Sequence, residues 1–197
     1  MRTATLGVLA LGATAFVLAS CSDPITGTPT SAESSPSQTK ELHGAPHVDK
    51  PLDTQKFKTD PCSALTPEQL KSLSASLGIG TTGEPEHRRG LTDKCTWMGS
   101  TSTMADVGFL QGGGGLSYIY AQRKESPVFE VRPPIDGYPV VHEAGGPERP
   151  GDCRVVIGAS DDQAVAVDYS QPSGDVKPCD AVTKVATEVV RTLKSAG

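Results

Sequence analysis

The cysteines constrain this chain more than any other residue type. There are five in 197 residues, an odd number. In an exported protein four can pair and one is left over. Cys62, Cys95, Cys153 and Cys179 are spread through the later part of the chain, whereas Cys21 stands apart near its start. No CxxC is present and the spacings match no zinc pattern, so the four are read as two structural cross-links. No metal and no cofactor is expected.

The start of the chain explains the fifth cysteine. Arg2 is the sole charge before Asp23, and the apolar run "LGVLALGATAFVLAS" follows it. At about 16 residues with its flanks, the run is shorter than the roughly 20 a membrane-spanning helix needs. A positive start, an apolar middle and a small-residue end make an export signal over residues 1–20. The segment Leu18-Ala19-Ser20-Cys21 resembles the bacterial lipobox, in which the thiol is alkylated with diacylglycerol and the chain is cut just before it. Cys21 is therefore expected to carry palmitate-type acyl chains. Two or more chains hold a protein on a bilayer where one does not. The expected location is the extracytoplasmic face of the cell membrane.

Residues 21–56 read as the lipidated cysteine and a disordered Ser/Thr/Pro-rich tether, because Ile25, Leu42, Val48 and Leu52 are too few to offset ordering entropy. His43 and His47 would need a helix to share a metal, and Gly44 and Pro46 oppose one. Residues 57–197 have the size of a single domain. The chain has 18 Lys and Arg against 23 Asp and Glu, a net charge of −5. That balance, with no basic run, excludes nucleic acid and anionic lipid as partners.

Two helices are predicted at the ends of this domain. Thr66 and Gln69 form a capping box with Pro67 at the first helical position, Leu65, Leu70, Leu73 and Leu77 mark a buried side, and Gly78 stops the helix. In 178–195, Ala181, Val182, Val185, Ala186, Val189, Val190 and Leu193 recur at helical spacing. Between the two, period-two patterns predict strands at 94–99, 104–110 and 137–143, and a hairpin over 153–169 turning at 160–162. Residues 115–124 carry Leu116, Ile119, Tyr120 and Arg123 at short-helix spacing. The expected fold is α+β: an antiparallel sheet of four to six strands, the N- and C-terminal helices packed on one face, and two disulfides.

Four cysteines leave three pairings open. Cys62 and Cys179 each follow a Pro and open a predicted helix, whereas Cys95 and Cys153 each open a predicted strand. Like positions in like elements favour Cys62–Cys179 and Cys95–Cys153.

Taken in order, Asp60-Pro61-Cys62-Ser63-Ala64-Leu65, Cys95-Thr96-Trp97, Gly137-Tyr138-Pro139, Cys153-Arg154-Val155 and Cys179-Asp180-Ala181 resemble the actinobacterial lipoproteins grouped as domain of unknown function 3558. The resemblance covers most of residues 60–195. It implies an envelope lipoprotein of a high-GC Gram-positive bacterium and implies no activity.

No catalytic constellation is visible: there is no G-x-S-x-G and no H-E-x-x-H. The glycine run 112–115 lacks the Lys-Ser/Thr of a phosphate loop. His142 and Glu143 are adjacent on a strand and must point to opposite faces. Arg88 and Arg89, in "EPEHRRG", are the candidate ligand-binding pair, since two guanidinium groups can fork a carboxylate or phosphate. The reading is a non-enzymatic domain that binds an envelope protein or a small ligand through loops 80–93, 111–115 and 143–151. The alternative is an envelope hydrolase whose site assembles only in the fold.

Overall fold

The computed structural model describes residues 41–88, 92–111 and 113–197. In chain order the elements are α1 (Gln55–Thr59), a 3₁₀ turn (Pro61–Ala64), α2 (Pro67–Leu77), β1 (Gly83–Arg88), β2 (Thr92–Met98), β3 (Met104–Leu110), α3 (Gly115–Ala121), β4 (Val128–Ile135), β5 (Tyr138–Ala144), β6 (Asp152–Gly158), β7 (Ala164–Ser170) and α4 (Pro178–Ala196).

The helix ends form where the side chains dictate. Gln69 N–H donates to Thr66 Oγ1 at 3.3 Å, and Thr66 N–H donates to Gln69 Oε1 at 2.7 Å, closing the capping box. Gly78 ends α2 with φ of +77°, a left-handed turn that glycine adopts without strain. Helix α4 buries Ala181, Val182, Val185, Ala186, Val189, Val190 and Leu193, the stripe its periodicity predicts. Each fully buried Val or Leu there contributes about 1.5–3 kcal/mol.

The strands form a single antiparallel sheet in the order β1-β2-β3-β7-β6-β5-β4. It has seven strands rather than four to six. The two additional strands, β1 and β4, are its edges. Their sequences, GEPEHR and VFEVRPPI, carry proline and charge, which edges tolerate and which protect them from pairing with other chains.

The two sheet faces are covered differently. Trp97, Val107, Phe109, Val155, Ile157, Val165, Val167 and Tyr169 face α1, α2 and α4 in the main core. Phe57 of α1 stacks on Phe109 at 5.7 Å between centroids, and Tyr169 Oη donates to Leu77 O at 3.0 Å. The terminal helices thus share one face as expected. Helix α3 does not join them: Leu116 and Tyr120 pack on Val141, Val156, Ala164 and Ala166, whose side chains point the other way. The β3–β4 connection must carry the chain from mid-sheet to the far edge, and α3 rides over the opposite face in doing so.

The disulfides are Cys62–Cys95 and Cys153–Cys179, which corrects the expected pairing. The reason is strand order. Strands β2 and β6 are separated by β3 and β7, so Cys95 and Cys153 lie roughly 14 Å apart at about 4.8 Å per strand. A disulfide needs Cα atoms within about 7 Å. Each bond instead ties the sheet to the segment above it, with Cα separations of 5.0 and 5.1 Å.

The tether boundary expected at residue 56 is also corrected. Ala45, Val48, Leu52 and Thr54 are buried. Leu52 N–H donates to Ala159 O at 2.8 Å, and Val48 N–H to Asp161 Oδ1 at 2.9 Å. The few apolar residues of this stretch suffice because they dock on a preformed domain rather than building a core. The expected signal, Cys21 and the tether up to residue 40 lie outside the described residues. Among the described residues no helix is long and apolar enough to cross a membrane.

Candidate binding groove

The half of the sheet face that α3 leaves open carries charge. Glu86 and Lys94 are cross-strand partners on β1 and β2, and Asp106, Asp168 and Arg154 are in register on β3, β7 and β6. Lys94 stands diagonally from Asp106, whose own partner on β2 is Thr96, and Glu143 of β5 reaches Arg154. They form a row of charges running across the strands. Lys94 Nζ lies 3.4 Å from both Glu86 Oε2 and Asp106 Oδ1. Thr96 Oγ1 donates to the same Asp106 oxygen. Arg154 Nη1 is 3.5 Å from Asp168 Oδ1, and its Nε is 3.8 Å from Glu143 Oε2. That Nε is buried and, among the described residues, makes no hydrogen bond.

Small residues hollow this row into a groove. Gly108 and Ala166 are cross-strand partners on its floor. The β5–β6 loop, with Gly145, Gly146, Pro147, Glu148 and Arg149, forms one wall. The open groove has a volume of about 590 Å³, within the range of small-molecule sites. Its lining mixes small and apolar residues with the charges of Lys94, Asp106, Asp152, Arg154 and Asp168.

The electrostatics centre on Asp168. Burial pushes its carboxyl up from 3.8 to about 6. Arg154 and Lys94 oppose that rise, and Asp106 and Glu143 add to it. The groove therefore holds a carboxyl whose charge changes in mildly acidic conditions, beside two cations. Such a lining can recognise a small ligand that carries both an anionic and a cationic or hydrogen-bonding group.

The residues singled out by sequence fall unevenly around this groove. Arg88 ends β1 opposite Thr92, a groove residue, and Arg89 lies outside the described residues. Of the three expected loops, 143–151 lines the groove. Much of 80–93 is strand β1 instead of loop, because it pairs residue by residue with β2. Gly115, at the end of the glycine run, sits against the β6–β7 turn. His142 and Glu143 do point to opposite faces: Glu143 reaches Arg154 in the groove, and His142 Nε2 meets Glu148 Oε1 at 2.8 Å behind it. Asp161 works as a turn residue, accepting from Val48 N–H and pairing with His47 Nδ1 at 2.6 Å.

Sequence reasoning missed Lys94, Asp106, Asp168 and Arg154 as site residues, and weighed Glu143 only as the neighbour of His142. The signal was present, since four neighbouring strands each carry a charge at a central position, in "TDKCTWM", "MADVGFL", "DCRVVIG" and "AVAVDYS". A central strand covered on both faces cannot hold such a charge. Four together mark an uncovered strip.

No curated protein and no solved structure matches the chain. A family model described as "Protein of unknown function (DUF3558)" matches residues 16–192, a span that takes in Cys21, the four paired cysteines and the whole groove. The chain therefore belongs to the DUF3558 family.

Proposed function

We propose that this protein is a lipid-anchored, non-enzymatic binding domain on the outer face of the cell membrane, and that the charged groove is its ligand site. The observation that carries the binding reading is the row Lys94, Asp106, Asp168 and Arg154 on an uncovered strip of an otherwise buried sheet. Charges there stabilise little on their own, and the small floor residues leave room above them. The Leu18-Ala19-Ser20-Cys21 box supports the anchor. Two disulfides fit an oxidising compartment. The actinobacterial setting rests on the motif resemblance alone.

Two experiments test this. Metabolic labelling with a palmitate analogue should mark the wild type and not Cys21→Ser; equal labelling overturns the anchor. A thermal-shift screen with amino acids, short peptides, dicarboxylates and polyamines should find a stabilising ligand whose effect is lost in Arg154→Met and Asp168→Asn. Hits that stabilise both variants as much as wild type overturn the groove as the site.

One observation favours a second reading, an envelope hydrolase. Asp168 retains its proton to about pH 6 opposite a second carboxyl group, Asp106, and a carboxyl so tuned can act as a general acid. Turnover of a glycoside or ester substrate that disappears in Asp168→Asn would replace binding with catalysis.

A further inference from the structure

Behind the groove wall, on the helix-covered side of the sheet, four metal-ligating side chains converge. One ligand atom each from His142, Glu148, Cys153 and Cys179 lies within 4.8 Å of all the others. His142 and Cys153 are buried, and Cys179 is half-buried. The sulfurs are joined to each other as the structure stands. We propose that Cys153–Cys179 is a latent metal site: when a dithiol opens the bond, the two thiolates, His142 Nε2 and a Glu148 carboxylate oxygen hold one Zn²⁺.

The geometry suits a tetrahedral ion. Zinc bonds of about 2.0–2.3 Å place ligand atoms roughly 3.3–3.8 Å apart, inside the present spread of the four. The sulfurs must separate, by rotation about their Cα–Cβ bonds, and Glu148 Oε1 must draw back from His142 Nε2 by roughly 0.5–1 Å. His142 Nε2 already faces Glu148 Oε1 at 2.8 Å, and its Nδ1 lies 3.7 Å from Glu130 Oε2. That carboxylate is beyond hydrogen-bond reach as it stands; a small rotation of the exposed Glu130 side chain would bring it onto Nδ1, where it would fix the ring's orientation and raise its basicity. Glu148 sits on the β5–β6 loop, which can yield to admit the ion.

The two disulfides differ in what favours opening. Each bridge joins a buried cysteine, Cys95 or Cys153, to a half-buried one, Cys62 or Cys179. Cys62 lies in a four-residue 3₁₀ turn, whereas Cys179 lies in the first turn of α4, a helix of 19 residues. A helix N-terminus stabilises a thiolate, which makes Cys179 the better leaving group in thiol–disulfide exchange. A thiolate of the dithiol attacks one sulfur, the S–S bond breaks, and the second thiol of the reagent closes a cyclic disulfide. The dithiol loses two electrons and two protons, and both cysteines become thiols. Zn²⁺ then displaces both protons.

Cobalt(II) reports the site optically. The full chain would be reduced anaerobically with dithiothreitol, freed of reagent and titrated with Co²⁺. The reduced chain should show thiolate charge-transfer and intense tetrahedral d–d bands at one Co²⁺ per chain, bleached by Zn²⁺, and the oxidised chain should show neither. His142→Ala and Glu148→Gln should each weaken binding by about 10-fold or more. The absence of such bands in the reduced chain overturns the proposal. So do bands of equal affinity in both variants, because thiols of an unfolded chain would take the metal without His142 or Glu148.

Discussion

Asp106 and Asp168 stand directly opposite each other across the β3–β7 ladder. Burial, with the like charge of Asp106 adding to it, raises the Asp168 carboxyl to about 6. Its pKa in the folded protein lies above its ordinary value of 3.8, so between these values the folded state binds more protons than the unfolded one. The stability tied to Asp168 is therefore full below about pH 4, falls as pH rises through about 6, and is level beyond. Asp168→Asn should remove this slope. With the side chain 35% exposed, screening reduces the gain at pH 7 to about 1 kcal/mol. Urea midpoints of the two proteins from pH 4 to 7 check it: their difference should grow with pH, and a constant difference contradicts it.

Gly83 should tolerate no side chain. A Cβ there would stand 2.5 Å from Cys95 Sγ, 2.7 Å from Trp97 Nε1 and 2.9 Å from Cys62 Sγ. Trp97 and Cys95 are fully buried and have nowhere to move. Gly83→Ala should cost about 1–3 kcal/mol through overpacking, seen as a lower urea midpoint with an unchanged slope.

Gln69 does more than cap α2. Its Nε2 donates to Glu188 O at 3.1 Å and Glu188 Oε2 at 3.0 Å, and its Oε1 accepts from Thr192 Oγ1 at 2.9 Å. It joins α2 to α4 as well as closing the capping box. Thr66→Ala removes only the cap, about 1 kcal/mol. Gln69→Ala should cost roughly 2–3 kcal/mol, because it also strands hydrogen-bonding groups on α4. Equal losses in chemical denaturation would show the inter-helix bonds to be idle.

Non-reducing proteolysis with mass mapping should recover peptides linking Cys62 to Cys95 and Cys153 to Cys179 and none linking Cys62 to Cys179. The closed loops span 33 and 26 residues, so replacing either pair with serine should cost about 3–4 kcal/mol in the chain-entropy account.

What could be read from sequence was what local chemistry decides. The Thr66/Gln69 box, the α4 stripe and the strands at 104–110 and 153–169 are written in spacing, because each buries a face whose period is its own signature. Strand β1 was illegible because GEPEHR has no apolar residue; β2 alone makes it a strand. The disulfide pairing failed for a related reason: it depends on β7 inserting between β3 and β6, a long-range choice that no local motif encodes. The groove was hidden in the same way, since Lys94, Asp106, Asp168 and Arg154 come together only once that strand order is set.

The crowding around Gly83 has an optical consequence. Trp97 is the chain's single tryptophan, and its indole nitrogen and both sulfurs of Cys62–Cys95 ring one point. Excited indole passes an electron readily to a neighbouring disulfide, so the native protein should be nearly dark in fluorescence and should brighten when that bond is cut. Cys153–Cys179, two intervening strands away, should leave the emission untouched. The molecule thus carries its own lamp, wired to one of its two bridges and blind to the other.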